Sequence, residues 1–170
     1  MADESLGRLV EHLQERCLER GLTVCTAESC TGGLIAKLIT DVPGSSGYFV
    51  GGVVSYADAV KESLLGVDPE QLAAHGAVSA QVARAMAVGA TQRTGASVGL
   101  AVTGVAGPGG GTASKPVGLT YVAVADAAGV EVRRFVWTGD RASNRDATAR
   151  AALTLALDRL SGAPEAFEPA

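Results

Sequence analysis

Apolar residues recur at helical spacing from Leu6 through Leu9, Val10, Leu13 and Cys17, and Gly21 stands where a C-terminal cap belongs, so the chain opens with an amphipathic helix. His12 lies off that stripe beside Glu11 and Glu15 and reads as a solvated side chain. Leu22 to Thr26 is short, β-branched and follows Gly, which suits a buried strand. Glu28 to Gly33 then feeds through a tight turn into a helical run from Leu34 to Ile39. After the punctuation of Pro43 to Gly47, the stretch from Tyr48 to Tyr56 reads as a long apolar strand that should be largely buried. Ala57 to Leu65 is helical in pattern and closed by Gly66, and a short segment runs from Asp68 to His75. His75 precedes Gly76, a position that suits a helix end. Ser79 caps a predicted helix through Thr94, with Val82, Met86 and Ala90 on one face.

The second half predicts a strand at Ser97 to Val102, a Gly/Pro-rich loop from Gly104 to Lys115, and strands at Val117 to Ala125 and Val130 to Trp137. Asp126-Ala127-Ala128-Gly129 joins the last two as a hairpin. A helix from about Arg141 to Leu160 closes the pattern, with Leu153, Leu157 and Leu160 a turn apart. Helices alternate with strands early and a hairpin comes late, which predicts an α/β fold: a mixed sheet in a three-layer α/β/α sandwich. One domain over residues 1–160 is expected, and residues 161–170 read as a flexible tail.

Composition narrows the function classes. Of 170 residues, 47% are hydrophobic and 19% charged, with mean hydropathy +0.23, which excludes a disordered chain. Aromatics are 4% while Gly numbers 22, so the core must be built from closely packed Ala, Val and Leu. A net charge of −4 and pI near 5.2 argue against a nucleic-acid partner. No apolar run is long enough for a membrane span, and none forms a secretory signal. Cys17, Cys25 and Cys30 contain no C-x-x-C pair, which describes neither a disulfide framework nor a thiolate metal site. A cytoplasmic protein without metal is expected.

Four groups of residues carry candidate chemistry. Ala27-Glu28-Ser29-Cys30-Thr31-Gly32-Gly33 puts a hydroxyl and a thiol at a helix N-terminus, where backbone N–H groups near Thr31 and Gly32 offer an oxyanion hole worth about 3 kcal/mol per donor. Local spacing alone favours an ordinary Ser N-cap there. A serine nucleophile needs a base, and His12 and His75 are better explained otherwise. Lys61 offers one: it lies in the first turns of a helix among Ala59, Val60, Leu64 and Leu65, and apolar burial favours its neutral amine. Tyr56 stands at the preceding strand end, where its hydroxyl can pass or orient a proton. Thr103-Gly104-Val105-Ala106-Gly107-Pro108-Gly109-Gly110-Gly111 is either a mobile loop or an anion cradle; it lacks the P-loop ending and the helix of a dinucleotide fingerprint, so no nucleotide cofactor is expected. Arg141 and Arg145 either bind an anion or pair with Asp140 and Asp146.

Taken in order, the Ala27 to Gly33 segment, Tyr56 with Lys61, His75-Gly76-Ala77-Val78-Ser79, and Thr103 to Gly110 resemble the CinA C-terminal domain family of competence/damage-inducible proteins, whose characterised members are nicotinamide-nucleotide amidases. The resemblance runs from about Leu6 to Leu160 and is to the stand-alone form, without the N-terminal nucleotide-processing domain of larger members. It implies hydrolysis of nicotinamide mononucleotide to nicotinate mononucleotide and ammonia by serine and lysine, without metal or cofactor. Ser29 is then the nucleophile, Lys61 the base and Tyr56 its assistant. Substrate contacts fall to Cys30, Thr31, Gly32, Gly33, Thr103, Gly104, Gly107, Gly109, Gly110 and Arg145, with the glycine loop and Arg145 receiving the ribose phosphate. Val105, Gly111 and Ala57 to Val60 depart from the family pattern without removing a reacting group. Two other readings stand beside this: Cys30 as a nucleophile with a depressed pKa, and a non-catalytic nucleotide-binding or damage-response interaction module. Apolar helix faces suit a homodimer.

Overall fold

The computed structural model describes residues 4–162. Its elements in chain order are α1 (Leu6–Arg20), β1 (Val24–Glu28), α2 (Leu34–Asp41), β2 (Phe49–Val54), α3 (Asp58–Leu65), α4 (Pro69–His75), α5 (Ala80–Thr94), β3 (Val98–Gly104), β4 (Leu119–Asp126), β5 (Gly129–Val136) and α6 (Arg141–Ser161). The strands form one mixed sheet in the order β2-β1-β3-β4-β5, with β1 parallel to β2 and β3, and β4 antiparallel to β3 and β5. Helices cover both faces, as the alternation predicted. Of the expected tail, Ser161 is instead the last residue of α6, its hydroxyl bonded to the Leu157 carbonyl at 2.7 Å; residues 163–170 lie outside the described residues. No helix of the described residues is long and apolar enough to cross a membrane.

The two faces of the sheet differ in side-chain size. Val24, Leu100, Val102, Val122 and Val124 point toward α1, α2 and α6 and pack with Leu13, Ile35, Ile39, Leu153 and Leu155. Their sequence neighbours Cys25, Ala27, Ala101, Ala123 and Ala125 point the other way, toward α5. Period-two alternation therefore sorts branched residues to one side and small ones to the other. The small face lets helix backbones come close. A Cβ on Gly99 would lie 2.6 Å from the Ala87 carbonyl oxygen of α5, and one on Gly89 of α5 would lie 1.9 Å from the Leu65 carbonyl oxygen at the end of α3. An aromatic-poor, Gly-rich composition thus serves backbone proximity rather than a large-residue core.

One expectation needs correction. The stretch from Tyr48 to Tyr56 is not largely buried: β2 is an edge strand with alternating exposure, and Val50 and Val54 are half exposed. Its apolar sequence hides the difference because Gly51 and Gly52 interrupt the alternation with residues that have no side chain to sort. The segment before His75 is a helix, α4, announced by Asp68 at the N-cap, whose carboxylate accepts from Glu70 N at 2.8 Å, and Pro69 at the first helical position.

Gly89→Ala tests the close approach. Helix propensity alone would make this change stabilising by up to about 1 kcal/mol. The contact with Leu65 should reverse the sign and cost about 1–3 kcal/mol, read from the midpoint of urea denaturation at unchanged slope.

Candidate active site

The parallel strands β2, β1 and β3 all release the chain at the same edge of the sheet, where α/β proteins place their sites. β1 ends at Glu28, and Ser29 continues its ladder by donating to the Val102 carbonyl at 3.1 Å. On the other side, Ser55 N donates to the Glu28 carbonyl at 2.8 Å, so the end of β2 is tied to the residue before Ser29. α3 begins immediately after, and its first turns carry Lys61 back toward β1. The Lys61 amine is almost fully buried, at 1% exposure, and lies 3.2 Å from Ser29 Oγ, 2.7 Å from the Ser55 carbonyl and 3.4 Å from the Tyr56 carbonyl. The structure thus joins the nucleophile and base candidates directly.

Burial lowers the Lys61 pKa below its ordinary value of 10.5, opposed by Asp58, whose carboxylate is 3.8 Å away and well exposed, and more weakly by Cys30. The geometry accommodates either protonation state. An ammonium has donors for all three oxygens around it, whereas an NH2 group donates to the two carbonyls, which can only accept, and leaves its lone pair facing the one partner with a proton to give, Ser29. Asp58 is too exposed to hold the proton on the amine at full Coulomb strength.

Glu28 builds the turn that follows. Its carboxylate is buried without a cationic partner and accepts from the Thr31 hydroxyl at 2.6 Å and from backbone N–H of Gly33 at 3.1 Å, Ile35 at 3.0 Å and Ala36 at 2.8 Å. It caps α2 in place of the ordinary Ser N-cap, which would have involved Ser29. The hydroxyl of Ser29 is thereby left for Lys61. The expectation that Gly32 contributes to an oxyanion hole is corrected by the same network: Gly32 N donates to the Ser29 carbonyl at 3.0 Å and Gly33 N to Glu28. The N–H groups of Cys30 and Thr31 face the Cys30 sulfur. Gly32 and Gly33 earn their places through left-handed φ of 59° and 97°, which let the chain turn under Glu28.

Cys30 points into the core with Ile35 and Val102 rather than toward Ser29's partners. Burial pushes its thiol up from 9.0 to about 12, the reverse of the depression that a nucleophilic cysteine requires, so the thiolate reading is overturned by desolvation.

The remaining predicted residues fall into two groups. Thr31 is spent on Glu28, Thr103 is buried and donates to the Ala77 carbonyl at 2.8 Å, and a Cβ on Gly104 would press on the Leu119 carbonyl oxygen at 2.7 Å, so these three serve the scaffold. Gly109 has open space around it, a Cβ on Gly110 would meet Val105 Cγ1 at an ordinary 3.8 Å, and Gly107 presents its carbonyl to Arg141. Tyr56 is 60% exposed: its carbonyl meets Lys61, while its hydroxyl is 3.1 Å from Arg141 Nη2. Arg145 donates to the Thr31 carbonyl at 2.6 Å. Neither arginine pairs with Asp140, whose carboxylate caps α6 through Ser143 N at 2.8 Å. Sequence reasoning missed Glu28 as the capping group and offered Arg141 only as one of two arginines that either bind an anion or pair with a neighbouring carboxylate. The signal for Glu28 was an acid at a strand end ahead of a Gly-Gly helix start with no side-chain cap of its own.

The CinA C-terminal domain family matches this chain over residues 7–160. A CinA-like protein of Geobacter sulfurreducens is 56% identical over 142 residues, covering 84% of this chain and 34% of that protein. A CinA-like protein of Chlorobaculum tepidum is 53% identical over 148 residues, covering 84% of this chain and 35% of that one. The chain therefore spans about a third of the length of these curated relatives. Among solved structures, competence/damage inducible protein CihA from Agrobacterium tumefaciens superposes with a TM-score of 0.89 at 42% identity, over 94% of this chain and 98% of that one. Competence damage-inducible protein A from Klebsiella pneumoniae superposes with a TM-score of 0.91 at 30% identity, over 95% and 100%.

Two outcomes follow. Glu28→Gln places an amide NH2 against donors and should cost about 2–3 kcal/mol in denaturant unfolding. For Lys61, the folded chain loses its proton at lower pH than the unfolded chain, so this residue makes stability rise with pH between its lowered pKa and 10.5. Subtracting the pH–stability curve of Lys61→Met from that of the wild type should leave a positive slope in that window; a flat difference would mean the amine is not desolvated.

Proposed function

The chain belongs to the CinA C-terminal domain family, and on that premise we propose that it is a serine–lysine amidase that hydrolyses nicotinamide mononucleotide to nicotinate mononucleotide and ammonia. The observation that carries this reading is the buried Lys61 amine held 3.2 Å from Ser29 Oγ by two main-chain carbonyls. Ser29 Oγ attacks the carboxamide carbon while Lys61 takes the hydroxyl proton. The carbonyl oxygen becomes an oxyanion beside the turn that follows Ser29. Lys61 then delivers its proton to the nitrogen, the C–N bond breaks, ammonia leaves and an ester remains on Ser29. Water, deprotonated by Lys61, attacks that ester and releases the carboxylate with Ser29 restored.

Burial of the amine serves both halves of the cycle. A lysine near its ordinary pKa of 10.5 would hold its proton at neutral pH and could not begin the reaction. Lowering the pKa makes it a competent base and, once protonated, a stronger acid toward the leaving nitrogen. Asp58 works against the first half and so sets where the amine titrates.

Ammonia release from nicotinamide mononucleotide is the direct assay. Ser29→Ala should lower kcat at least about 1000-fold and Lys61→Ala about 100- to 10,000-fold, while Glu28, being remote from the substrate, acts only through stability and placement of Ser29. The acid limb of the pH–rate profile should titrate below 10.5 and move further toward acid in Asp58→Asn, because the carboxylate that raises the Lys61 pKa is gone. Nucleotide binding without ammonia release would leave a non-catalytic binding module in place of the amidase.

A further inference from the structure

Arg141 begins α6 and makes two contacts that lie on opposite sides of the nucleophile. Its Nη1 donates to the Gly107 carbonyl at 2.8 Å, in the loop that leaves β3, and its Nη2 donates to the Tyr56 hydroxyl at 3.1 Å, just past the end of β2. In the sheet, β1 lies between those two strands, and Ser29 follows β1 directly. The guanidinium therefore spans the exit of the strand that carries Ser29. Arg145, one helical turn further on, confirms the path of α6, since it reaches Thr31 in the turn after Ser29.

The span leaves binding capacity unused. A guanidinium has more N–H donors than the two engaged here, and they lie in one plane suited to a phosphate. Arg141 is exposed, and Asp140, the adjacent carboxylate, is engaged by the Ser143 N–H at the start of its own helix. Arg141 also lines an open surface groove with Pro108, Val117 and Gly139, on the side of the loop away from Lys61 and Ser29, which do not line it. Gly109 and Gly110, with nothing crowding them, leave the adjoining loop open to a close approach.

Resting on the amidase reading above, we propose that Arg141 is a specificity-determining residue that binds the substrate's phosphate monoester from its place across the site, and that Arg145 is the positioning residue that holds the turn after Ser29. The phosphate role expected for Arg145 thus moves one turn toward the helix start. An anion held at this rim fixes the ribose end while the carboxamide reaches inward to Ser29. The neutral dyad and the charged anchor are then separated by the length of the substrate rather than competing for one volume.

The test compares kcat/KM for nicotinamide mononucleotide with that for the phosphate-free nicotinamide riboside. The ratio should fall about 10- to 100-fold in Arg141→Gln, mainly through KM for the mononucleotide, and recover in part in Arg141→Lys, which keeps the charge without the fork. Tyr56→Phe breaks one arm of the span but spares the charge, so it should hold the ratio within about threefold even if both rates fall. An unchanged ratio in Arg141→Gln, or an equal fall in Tyr56→Phe, would overturn the assignment. If the wild type hydrolyses neither compound, the amidase reading fails by itself. Arg141 is then judged by calorimetric titration with inorganic phosphate: binding at least tenfold weaker in Arg141→Gln sustains the anion site, and equal or absent binding in the wild type removes it.

Discussion

The structure turns on an amine that the fold removes from water and surrounds with main-chain carbonyls and one hydroxyl. Lysine usually keeps its charge in solvent, and burying it charged costs several kcal/mol unless a close carboxylate compensates. Here the nearest carboxylate, Asp58, stands 3.8 Å away on the solvent side, while Ser55 and Tyr56 offer oxygens that can only accept. Giving up the proton relieves the desolvation and keeps both carbonyls satisfied. The amine also faces the Ser29 hydroxyl at 3.2 Å, so the burial that pushes Lys61 toward its neutral form sets it beside the candidate nucleophile.

That arrangement depends on how close the elements lie. Ser55 N on the Glu28 carbonyl and Ser29 N on the Val102 carbonyl tie the three strand ends into one rigid edge. α3 must then bring Lys61 to that edge from the second layer, and it does so because α5 meets it at Gly89, where even a methyl group would not fit. The alanine-lined face of the sheet extends the same economy, since Ala27, Ala101 and Ala123 let α5 lie near the strands. Small residues distant from the chemistry therefore set its geometry, and the scarcity of aromatic residues follows from a need for near backbones.

Much of this was legible along the chain. The period-3.6 stripe of α1, the cap at Gly21 and the hairpin at Asp126 to Gly129 are local signals, and local signals survive folding. Ser29 and Lys61 were legible as types in suitable settings, but their contact is made by strand pairing between segments that share no local pattern. β2 was misjudged because burial of an apolar strand depends on its rank in the sheet, and being at the edge is a property of topology, not of Phe49 to Val54. Cys30 was left open as an alternative nucleophile because helix-start electrostatics and desolvation act on it in opposite senses. A linear reading sees the first, and only packing reveals that the second wins.

Glu28 shows why the helix start after Ser29 should not be treated as a ready anion site. A helix N-terminus offers N–H donors and partial positive charge, and either a substrate or the protein's own carboxylate can take them. Glu28 takes the Gly33, Ile35 and Ala36 groups, so α2 is electrostatically satisfied before any ligand arrives. The earlier N–H groups of the turn are also engaged, Cys30 and Thr31 by the Cys30 sulfur and Gly32 by the Ser29 carbonyl at 3.0 Å. The N–H donors at the start of α2 are therefore not open to an anion from outside. The same carboxylate thereby stiffens the turn that carries Ser29 and closes its helix start to charge from outside.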